Sequence, residues 1–191
     1  MTDDHTAQMM SCYGHSPVQT PNLDRLAEEG VIFSESFVAN SLSGPSRACM
    51  ITGKHSHKNG FTNNEHGIFD GSQQTMPKLM QQAGYQTALI GKWHLVSLPT
   101  GFDHWEILPG QGDYYNPGFI TMDGKQHTEH GYCTDIVTDK SIAWLEQRDT
   151  SRPFILFVHH KACHRPWLPD FKDFRTYEDK TFPLPETFWD K

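Results

Sequence analysis

The sequence predicts an α/β protein, in which helices and strands follow one another along the chain. Apolar residues recur at helical spacing, bounded by capping signals, in residues 43–52, 76–83 and 133–148. Residues 85–90 read as a strand, and residues 153–158 form a continuous apolar run, which is typical of a strand covered on both faces. A chain of 191 residues is long enough to bury a sizeable core and would usually form one domain.

The amino-terminal part predicts one further helix and a short strand. Pro21 suits the first helical position after Thr20, and Gly30 supplies a stop signal. Residues 31–33, Val-Ile-Phe, then predict a short strand that leads toward the next helix.

The most informative stretch is Ser43-Gly-Pro-Ser-Arg47, at the start of the helix in residues 43–52. Pro45 suits the first turn of a helix, and Gly53 is placed to end it. Ser43 therefore lies just before the helix, where unpaired N–H groups and the positive end of the helix dipole suit an anionic, tetrahedral ligand. Arg47 adds a fork of donors that matches a sulfate or phosphate edge. Spacing alone favours the other interpretation, an ordinary capped helix with a solvent-facing arginine.

This stretch resembles the signature of the type I sulfatases, (Cys/Ser)-x-Pro-Ser-Arg followed by three residues, an apolar position, Thr and Gly. The matching residues are Ser43, Pro45, Ser46, Arg47, Ile51, Thr52 and Gly53. A second family signature, Gly-Tyr-x-Thr…Gly-Lys-Trp-His, is matched by Gly84, Tyr85, Thr87, Gly91, Lys92, Trp93 and His94.

The resemblance covers nearly the whole chain, but it corresponds only to the amino-terminal portion of a sulfatase. It implies an α/β fold of the alkaline phosphatase superfamily, a sandwich whose mostly parallel central sheet is flanked by helices. Residues 1–191 are then expected to form a partial sulfatase catalytic domain, with the first strand truncated and the carboxyl-terminal part absent.

Two adjacent acids, Asp3 and Asp4, open the chain. In the family, a buried strand delivers such a pair to a divalent cation at the edge of the sheet where open α/β proteins bind ligands. The resemblance implies that Asp3, Asp4 and Ser43 hold Ca²⁺ or Mg²⁺, which prefer hard oxygen ligands. An acidic pair at a chain end also reads as a solvated charge cluster. The later Asp-Asn pair and the further sulfate-binding lysine of the family have no match in this chain.

The resemblance implies that Ser43 is the nucleophile. It would be oxidised after translation to formylglycine, whose hydrate attacks sulfur, and serine rather than cysteine at this position implies a radical-type maturase as a partner. Arg47 and Lys92 would stabilise developing charge, and His94 would assist the second hydroxyl in expelling sulfate.

After Lys92 and His94, His164 is the third candidate for a catalytic residue, because it follows the apolar run in residues 153–158. The segment resembles the family's Pro-His-x-Pro, with Cys163 in place of the usual proline, and it implies that His164 protonates the departing sugar oxygen. Lys161 reads equally as a site residue or as one half of a structural salt bridge.

The implied activity is hydrolysis of a sulfate ester on a sulfated glycan. Residues 59–64, 101–105 and 111–115 look like loops of gut-bacterial N-acetylglucosamine-6-O-sulfatases, which act on mucin or glycosaminoglycan glycans. Two alternatives remain: a phosphate or phosphonate monoester hydrolase of the same superfamily, and an inactive fragment that binds sulfated glycans or nothing. Because the cation ligands are incomplete, we expect the isolated 191-residue chain to aggregate or to lack turnover.

Composition restricts the partners and the compartment. The net charge of −7 argues against a general nucleic-acid or acidic-membrane binder. No apolar run approaches the length of a membrane span or resembles a signal peptide, and the full-length enzyme is expected in the periplasm or outside the cell. The cysteines predict buried free thiols; they are Cys12, Cys49, Cys133 and Cys163.

Two polar or aromatic segments read as loops. Residues 54–74 contain His55, His57 and His66, which could touch substrate but are more typical of solvated loop histidines. Residues 99–131 are rich in Pro, Gly and aromatics, which could stack on sugar rings or pack their own loop.

Overall fold

The structure is a computed structural model that describes residues 1–14 and 16–190. These residues divide into two compact units. The first comprises residues 1–4 and 37–167, and the second comprises residues 5–14, 16–36 and 168–190. All of the predicted site residues lie in the first unit.

The first unit is built on a five-stranded sheet in the order β4-β3-β2-β1-β5. Its strands are β1 (Gln86–Lys92), β2 (His104–Leu108), β3 (Gly118–Thr121), β4 (Gln126–Thr128) and β5 (Phe154–His159). The central strand β1 pairs in parallel with β2 and β5, whereas β2–β3 and β3–β4 are antiparallel. The predicted α/β class is confirmed, with an antiparallel extension on one side.

Helices cover both faces of this sheet. They are α2 (Ser43–Thr52), α3 (Ser56–Asn59), α4 (Met76–Gln82) and α5 (Cys133–Gln147). Successive residues of β1 point to opposite faces. Leu89 packs in the cluster that includes Ile51 of α2, and Ile90 packs in the cluster that includes Val137 of α5.

The predicted boundaries of α2, α4 and α5 are largely confirmed. The prediction that residues 54–74 form a loop is wrong where α3 forms, because a helix of one turn, ended by Gly60 at φ 81°, is too short to show an apolar period. Helix α2 begins at Ser43, two residues before Pro45, so that Ser43 is its first residue rather than a residue before it. Gly53 ends α2 in the left-handed conformation at φ 64°, and its N–H donates to the Cys49 carbonyl at 2.9 Å. On α5 the predicted apolar position Ile142 is 48% exposed, and the buried positions are Cys133, Val137 and Ser141.

The prediction that residues 99–131 are loops is wrong where β2, β3 and β4 form. Gly124, at φ 77°, makes the turn between β3 and β4, and the Thr121 N–H donates to the Lys125 carbonyl at 3.0 Å. These strands are short and β4 is fully exposed, so no apolar alternation marks them in the sequence.

Strand β5 is paired on both sides only at its carboxyl end. Met1 donates from its amino group to the Val158 carbonyl at 2.7 Å, and the Asp3 N–H donates to the Ala162 carbonyl at 2.8 Å. This pairing carries Asp3 to the carboxyl edge of the sheet. The predicted strand in residues 153–158 is confirmed, and it packs on both faces, with Phe157 against the cluster that includes Ile51 and with Leu156 and Val158 against the cluster that includes Val137, although these side chains are only half-buried.

The second unit contains α1 (Pro21–Glu29), which confirms the predicted helix, and short 3₁₀ turns. Ser11 ties the unit together by donating from Oγ to the Asp24 carboxylate at 2.7 Å. The predicted strand at residues 31–33 is wrong: the segment is not in a strand, and Val31 and Phe33 are 74% and 71% exposed. An apolar run becomes a strand only where a second strand pairs with it.

All four cysteines are free, as predicted, but only Cys133 is buried and Cys163 is exposed. Among the described residues, no helix has both the length and the apolar character that crossing a membrane requires.

Candidate active site

The structure brings Asp3, Ser43, Arg47, Lys92 and His94 together at the carboxyl edge of the sheet. Lys92 is the last residue of β1, and His94 follows it in the left-handed region at φ 58°. Ser43 reaches the same place from the amino terminus of α2. Asp3 reaches the same place because its backbone N–H donates to the Ala162 carbonyl, just after β5.

Asp3 is the centre of this cluster. Its Oδ2 accepts hydrogen bonds from Ser43 Oγ at 3.4 Å, from Arg47 Nη2 at 3.4 Å and from Lys92 Nζ. The residue is 4% exposed. Burial opposes ionisation, but the hydrogen bond and charge of Lys92, with the charge of Arg47, outweigh it and lower the pKa of Asp3.

Arg47 is buried and ties three elements together. Its Nη1 donates to the Lys92 carbonyl at 2.7 Å and lies 3.0 Å from His159 Nδ1, which itself lies 3.1 Å from the same carbonyl. Burial, followed by the charge of Arg47, lowers the pKa of His159 to about 3, so its ring is neutral at pH 7. Arg47 Nε is buried without a hydrogen-bond partner among the described residues.

Lys92 is fully buried between two acceptors, the Asp3 carboxylate and Gln111 Oε1. Burial lowers the pKa of Lys92, and the nearby charges of Arg47 and Lys161 act in the same direction, against the opposing effect of Asp3. The backbone carbonyl of Lys92 is meanwhile held by Arg47. The ammonium group is therefore fixed in position.

His94 and Ser43 form the pair nearest to a nucleophile and a base. His94 Nδ1 lies 3.2 Å from Ser43 Oγ. Burial, then the charges of Lys92 and Arg47, lower the pKa of His94 to about 4, so its ring is neutral at pH 7 and can accept a proton from a hydroxyl.

His164 and Asp4 lie on another side of Asp3. His164 Nδ1 donates to the Arg165 carbonyl at 2.8 Å, so Nε2 is the ring nitrogen that faces the site. That Nε2 is 3.8 Å from Asp4 Oδ2. The Asp4 side chain is 54% exposed, and its backbone has φ 52°. The structure thus pairs Asp3 with Ser43 and Asp4 with His164.

Lys161 belongs to this region as well. It is 3% exposed, its Nζ donates to the Gln111 carbonyl at 3.2 Å, and the same atom lies 4.9 Å from the centre of the Tyr114 ring. These contacts favour neither of its predicted alternatives outright, because its partners are a carbonyl and an aromatic face.

The residues expected as cation ligands are suited to a hard cation in kind but not in number. Asp3, Asp4 and Ser43 offer carboxylate and hydroxyl oxygens, whereas Ca²⁺ takes about six to eight oxygen ligands. Among residues 1–14 and 16–190, no group of three or more His, Cys, Asp and Glu side chains could hold a metal ion. Further oxygens, from water or from other residues, would have to complete the set.

The loop histidines stay apart from this cluster. His55, His57 and His66 are exposed, and the rings of His55 and His57 stack on each other at 5.8 Å. Their possible contact with substrate stays a prediction.

Sequence reasoning missed three residues of the cluster: His159, Gln111 and Tyr114. The position of His159 carried a signal, because it ends an apolar strand and parallel strands present ligands at their carboxyl ends. Gln111 and Tyr114 both lie in the segment 111–115 that resembles a substrate loop, and Tyr114 is also one of the aromatics that could stack on sugar rings, but neither pattern predicts their contacts with Lys92 and His164.

Fold and site together define a class: an α/β protein with a serine, a buried carboxylate and buried cations gathered at the carboxyl edge of its sheet. The family profile described as Sulfatase matches residues 1–186 of this chain. The chain therefore belongs to the sulfatase family, as the two signatures predicted.

Individual relatives agree with this assignment. The chain is 57% identical over 193 residues to the N-acetylglucosamine-6-O-sulfatase of Bacteroides thetaiotaomicron, covering 100% of this chain and 34% of that protein. It is 32% identical over 203 residues to the N-acetylgalactosamine-6-sulfatase of Homo sapiens, covering 87% of this chain and 39% of that protein. The chain thus spans less than two fifths of the length of these curated relatives.

A solved structure extends the similarity to the fold. BT4656, in complex with its substrate D-glucosamine-2-N,6-O-disulfate, matches with a TM-score of 0.95 at 57% identity. The match covers 98% of this chain and 38% of that chain. The predicted resemblance to an amino-terminal portion of a sulfatase is confirmed.

Proposed function

We propose that the protein hydrolyses sulfate esters at the 6-position of N-acetylhexosamine units in sulfated glycans. The observation that carries this proposal is the placement of Ser43 Oγ, 3.4 Å from buried Asp3 and 3.2 Å from His94. The substrate class is supported by the names of two relatives, a 6-O-sulfatase of N-acetylglucosamine and a 6-sulfatase of N-acetylgalactosamine.

Ser43 is proposed to be oxidised to formylglycine by a radical-type maturase. The oxidation removes two hydrogens from the side chain, and hydration of the resulting aldehyde gives two hydroxyls on one carbon. One of these hydroxyls would supply the nucleophile that attacks sulfur, and the ester oxygen would leave with the sugar. An unmodified serine would stop at a stable sulfate ester, because it has no second hydroxyl with which to expel sulfate.

Asp3, Asp4 and the oxygen of residue 43 are proposed to hold Ca²⁺, or Mg²⁺, together with ligands beyond these three. A divalent cation there would supply charge neutralisation and lower the pKa of a hydroxyl bound to it.

The residues around Ser43 have separate roles in the proposed reaction. His94, neutral at pH 7, accepts the proton of the second hydroxyl as the carbon–oxygen double bond forms again and sulfate departs. Arg47 and Lys92, both buried, face the developing negative charge without rearrangement. His164, doubly protonated before this step, gives its Nε2 proton to the departing sugar oxygen and keeps the Nδ1 proton that it donates to the Arg165 carbonyl.

The setting of the substrate suggests where the protein works. Sulfated mucin and glycosaminoglycan polymers lie outside cells, so we propose that the full-length enzyme acts in the periplasm or after secretion.

The test uses the product of the complete reading frame, co-expressed with a radical-type maturase in the presence of Ca²⁺. We expect release of sulfate from 6-sulfated N-acetylglucosamine, and a mass lower by two hydrogens in the peptide that contains Ser43. Ser43→Ala should abolish turnover while changing stability by only about 1 kcal/mol, since half-buried Ser43 loses no more than its contacts with Asp3, at 3.4 Å, and with His94, at 3.2 Å.

Ser41→Ala, which alters an exposed serine two residues away, is the matched control and should keep full activity. A phosphate ester of the same sugar is assayed in parallel. Turnover that survives in Ser43→Ala, or a clear preference for the phosphate ester, would overturn the proposal.

A further inference from the structure

A loop between β2 and β3 connects the two halves of the proposed active site. This bridging loop, residues 109–114, begins with a turn in which the Gly112 N–H donates to the Pro109 carbonyl at 2.9 Å. From the loop, Gln111 Oε1 accepts from Lys92 Nζ, and the Tyr114 hydroxyl donates to the backbone carbonyl of His164. One short segment thus touches both the nucleophile side and the leaving-group side.

The bridging loop is itself firmly anchored. The Tyr114 carbonyl accepts from the Cys133 N–H at 2.8 Å, at the start of α5, and the Tyr114 ring stacks on Tyr132 with centres 6.0 Å apart. Lys161 holds the loop by donating to the Gln111 carbonyl at 3.2 Å. Tyr114 is 4% exposed, so its hydroxyl is fixed in a buried position.

The backbone of His164 depends on this contact. Its N–H donates to the Lys161 carbonyl at 3.0 Å, and its carbonyl accepts from the Tyr114 hydroxyl and, at a longer 3.4 Å, from the Trp167 N–H. Without the phenol, the carbonyl keeps only the longer contact. The imidazole would then be free to shift relative to Ser43 and Asp3.

We propose that Tyr114 is a positioning residue for the leaving-group step, which holds His164 where its Nε2 proton reaches the departing sugar oxygen. This inference rests on the proposed function. The bond from sulfur to the ester oxygen breaks, the electron pair stays on that oxygen, and His164 supplies the proton that makes it a hydroxyl. Tyr114 takes no part in bond making and acts only through His164.

The proposal makes the effect of Tyr114 depend on the leaving group. A sugar alkoxide is a strong base and needs protonation as it departs, whereas a nitrophenolate leaves readily without it. Tyr114→Phe removes one oxygen and keeps the ring that stacks on Tyr132. We expect kcat/KM to fall roughly 10- to 100-fold for N-acetylglucosamine 6-sulfate and by less than about threefold for 4-nitrophenyl sulfate.

The ratio of the two rates is the decisive quantity, because both are measured on one preparation and the ratio does not depend on the folded fraction. Tyr85→Phe is the matched control: Tyr85 is half-buried and stands directly before β1, at the opposite edge of the sheet. It should leave the ratio unchanged. Equal slowing of both esters by Tyr114→Phe would show a merely structural role and overturn the inference.

A double-mutant cycle with His164→Ala provides the second test and needs only the sugar ester. If Tyr114 acts through His164, adding Tyr114→Phe to His164→Ala should change the rate less than about twofold. Additive losses would refute the inference and leave the proposed function intact. Failure of the unaltered, matured protein to hydrolyse either ester would instead refute the proposed function, together with the inference that rests on it.

Discussion

Replacement of Arg47 tests the most central claim about the fold, that the guanidinium fastens helix α2 to the end of β1. Arg47→Met keeps much of the buried stem but removes the donor to the Lys92 carbonyl, at 2.7 Å, and the contact with His159 Nδ1, at 3.0 Å. It also removes one of the two cations on Asp3, at 3.4 Å. Arg47 itself is 1% exposed, so water cannot replace these contacts without entering the core.

The expected cost follows from these contacts. A buried acceptor left unpaired costs about 1–3 kcal/mol. Loss of one partner from a buried ion pair costs about 3–5 kcal/mol, but because Lys92 remains on Asp3 this contribution lies below that range, and the unpaired acceptors supply the rest of the cost. We expect the free energy of unfolding to fall by about 3–5 kcal/mol, a large part of the stability of a typical domain.

The measurement is urea unfolding of the product of the complete reading frame, with and without the substitution. Arg152→Met is the matched control: this exposed arginine donates to the Gly84 carbonyl at 3.2 and 3.1 Å, and its loss should cost less than about 1 kcal/mol. A loss below about 1 kcal/mol for Arg47→Met at an unchanged m-value would refute the claim that Arg47 fastens α2.

Three further substitutions or treatments test other parts of the structure. Gly91→Ala should prevent soluble folding, because Gly91 has φ 104° and a Cβ there would lie 2.0 Å from the His159 carbonyl oxygen. The control is Gly124→Ala, where φ is 77° and a Cβ would meet open space; it should lower the free energy of unfolding, measured by thermal melting, by only about 1–2 kcal/mol. Glu106→Gln should cost on the order of 3 kcal/mol at pH 7, because the hydrogen bond from His104, then Lys140, outweigh burial and lower the pKa of Glu106 from 4.5 to about 2. Since that pKa is lowered on folding, the stabilisation is complete above pH 4.5 and is lost as the pH falls toward 2. The difference in free energy of unfolding between the unaltered protein and Glu106→Gln should therefore shrink over this window. Glu146→Gln, at an exposed position, is the control and should leave the free energy of unfolding at pH 7 unchanged. Removal of divalent cations with a chelator should lower the melting temperature, and added Ca²⁺ should restore it. In the double variant Asp3→Asn, Asp4→Asn, added Ca²⁺ should have no effect. A melting temperature of the unaltered protein that does not change at millimolar Ca²⁺ would count against the cation proposal.

Features encoded locally could be predicted from the sequence. Pro45 and Gly53 fix the ends of α2 within two residues, because each restricts the backbone by itself. Lys92 and His94 could be assigned to the carboxyl edge because they follow an apolar strand of ordinary length. The position of each of these residues depends on its immediate neighbours in the chain.

Features that depend on distant partners could not be predicted in the same way. Residues 31–33 have the composition of a strand, but a strand requires a partner, which composition does not reveal. Strand β4, Gln-His-Thr, lacks an apolar side chain and forms because the turn at Gly124 brings it beside β3. Gln111 and Tyr114 act across 19 and 50 residues, and no spacing rule connects them to Lys92 or His164.

Charge explains why an acidic protein can present a site for an anion. The chain carries a net charge of −7, yet among the described residues the buried charged side chains are Asp3, Arg47, Lys92 and Lys161. One carboxylate against three basic groups leaves the buried cluster short of negative charge. Burial lowers the pKa values of Lys92 and Lys161, which shows that their charged forms are incompletely compensated by the protein. A sulfate group beside Ser43 would supply the missing charge at the place where water is excluded and electrostatic attraction is strongest. Outside the buried cluster, the charges of Asp4 and Asp113 reach Arg47 and Lys161, whereas acidic residues more than roughly 8–10 Å away are screened by water.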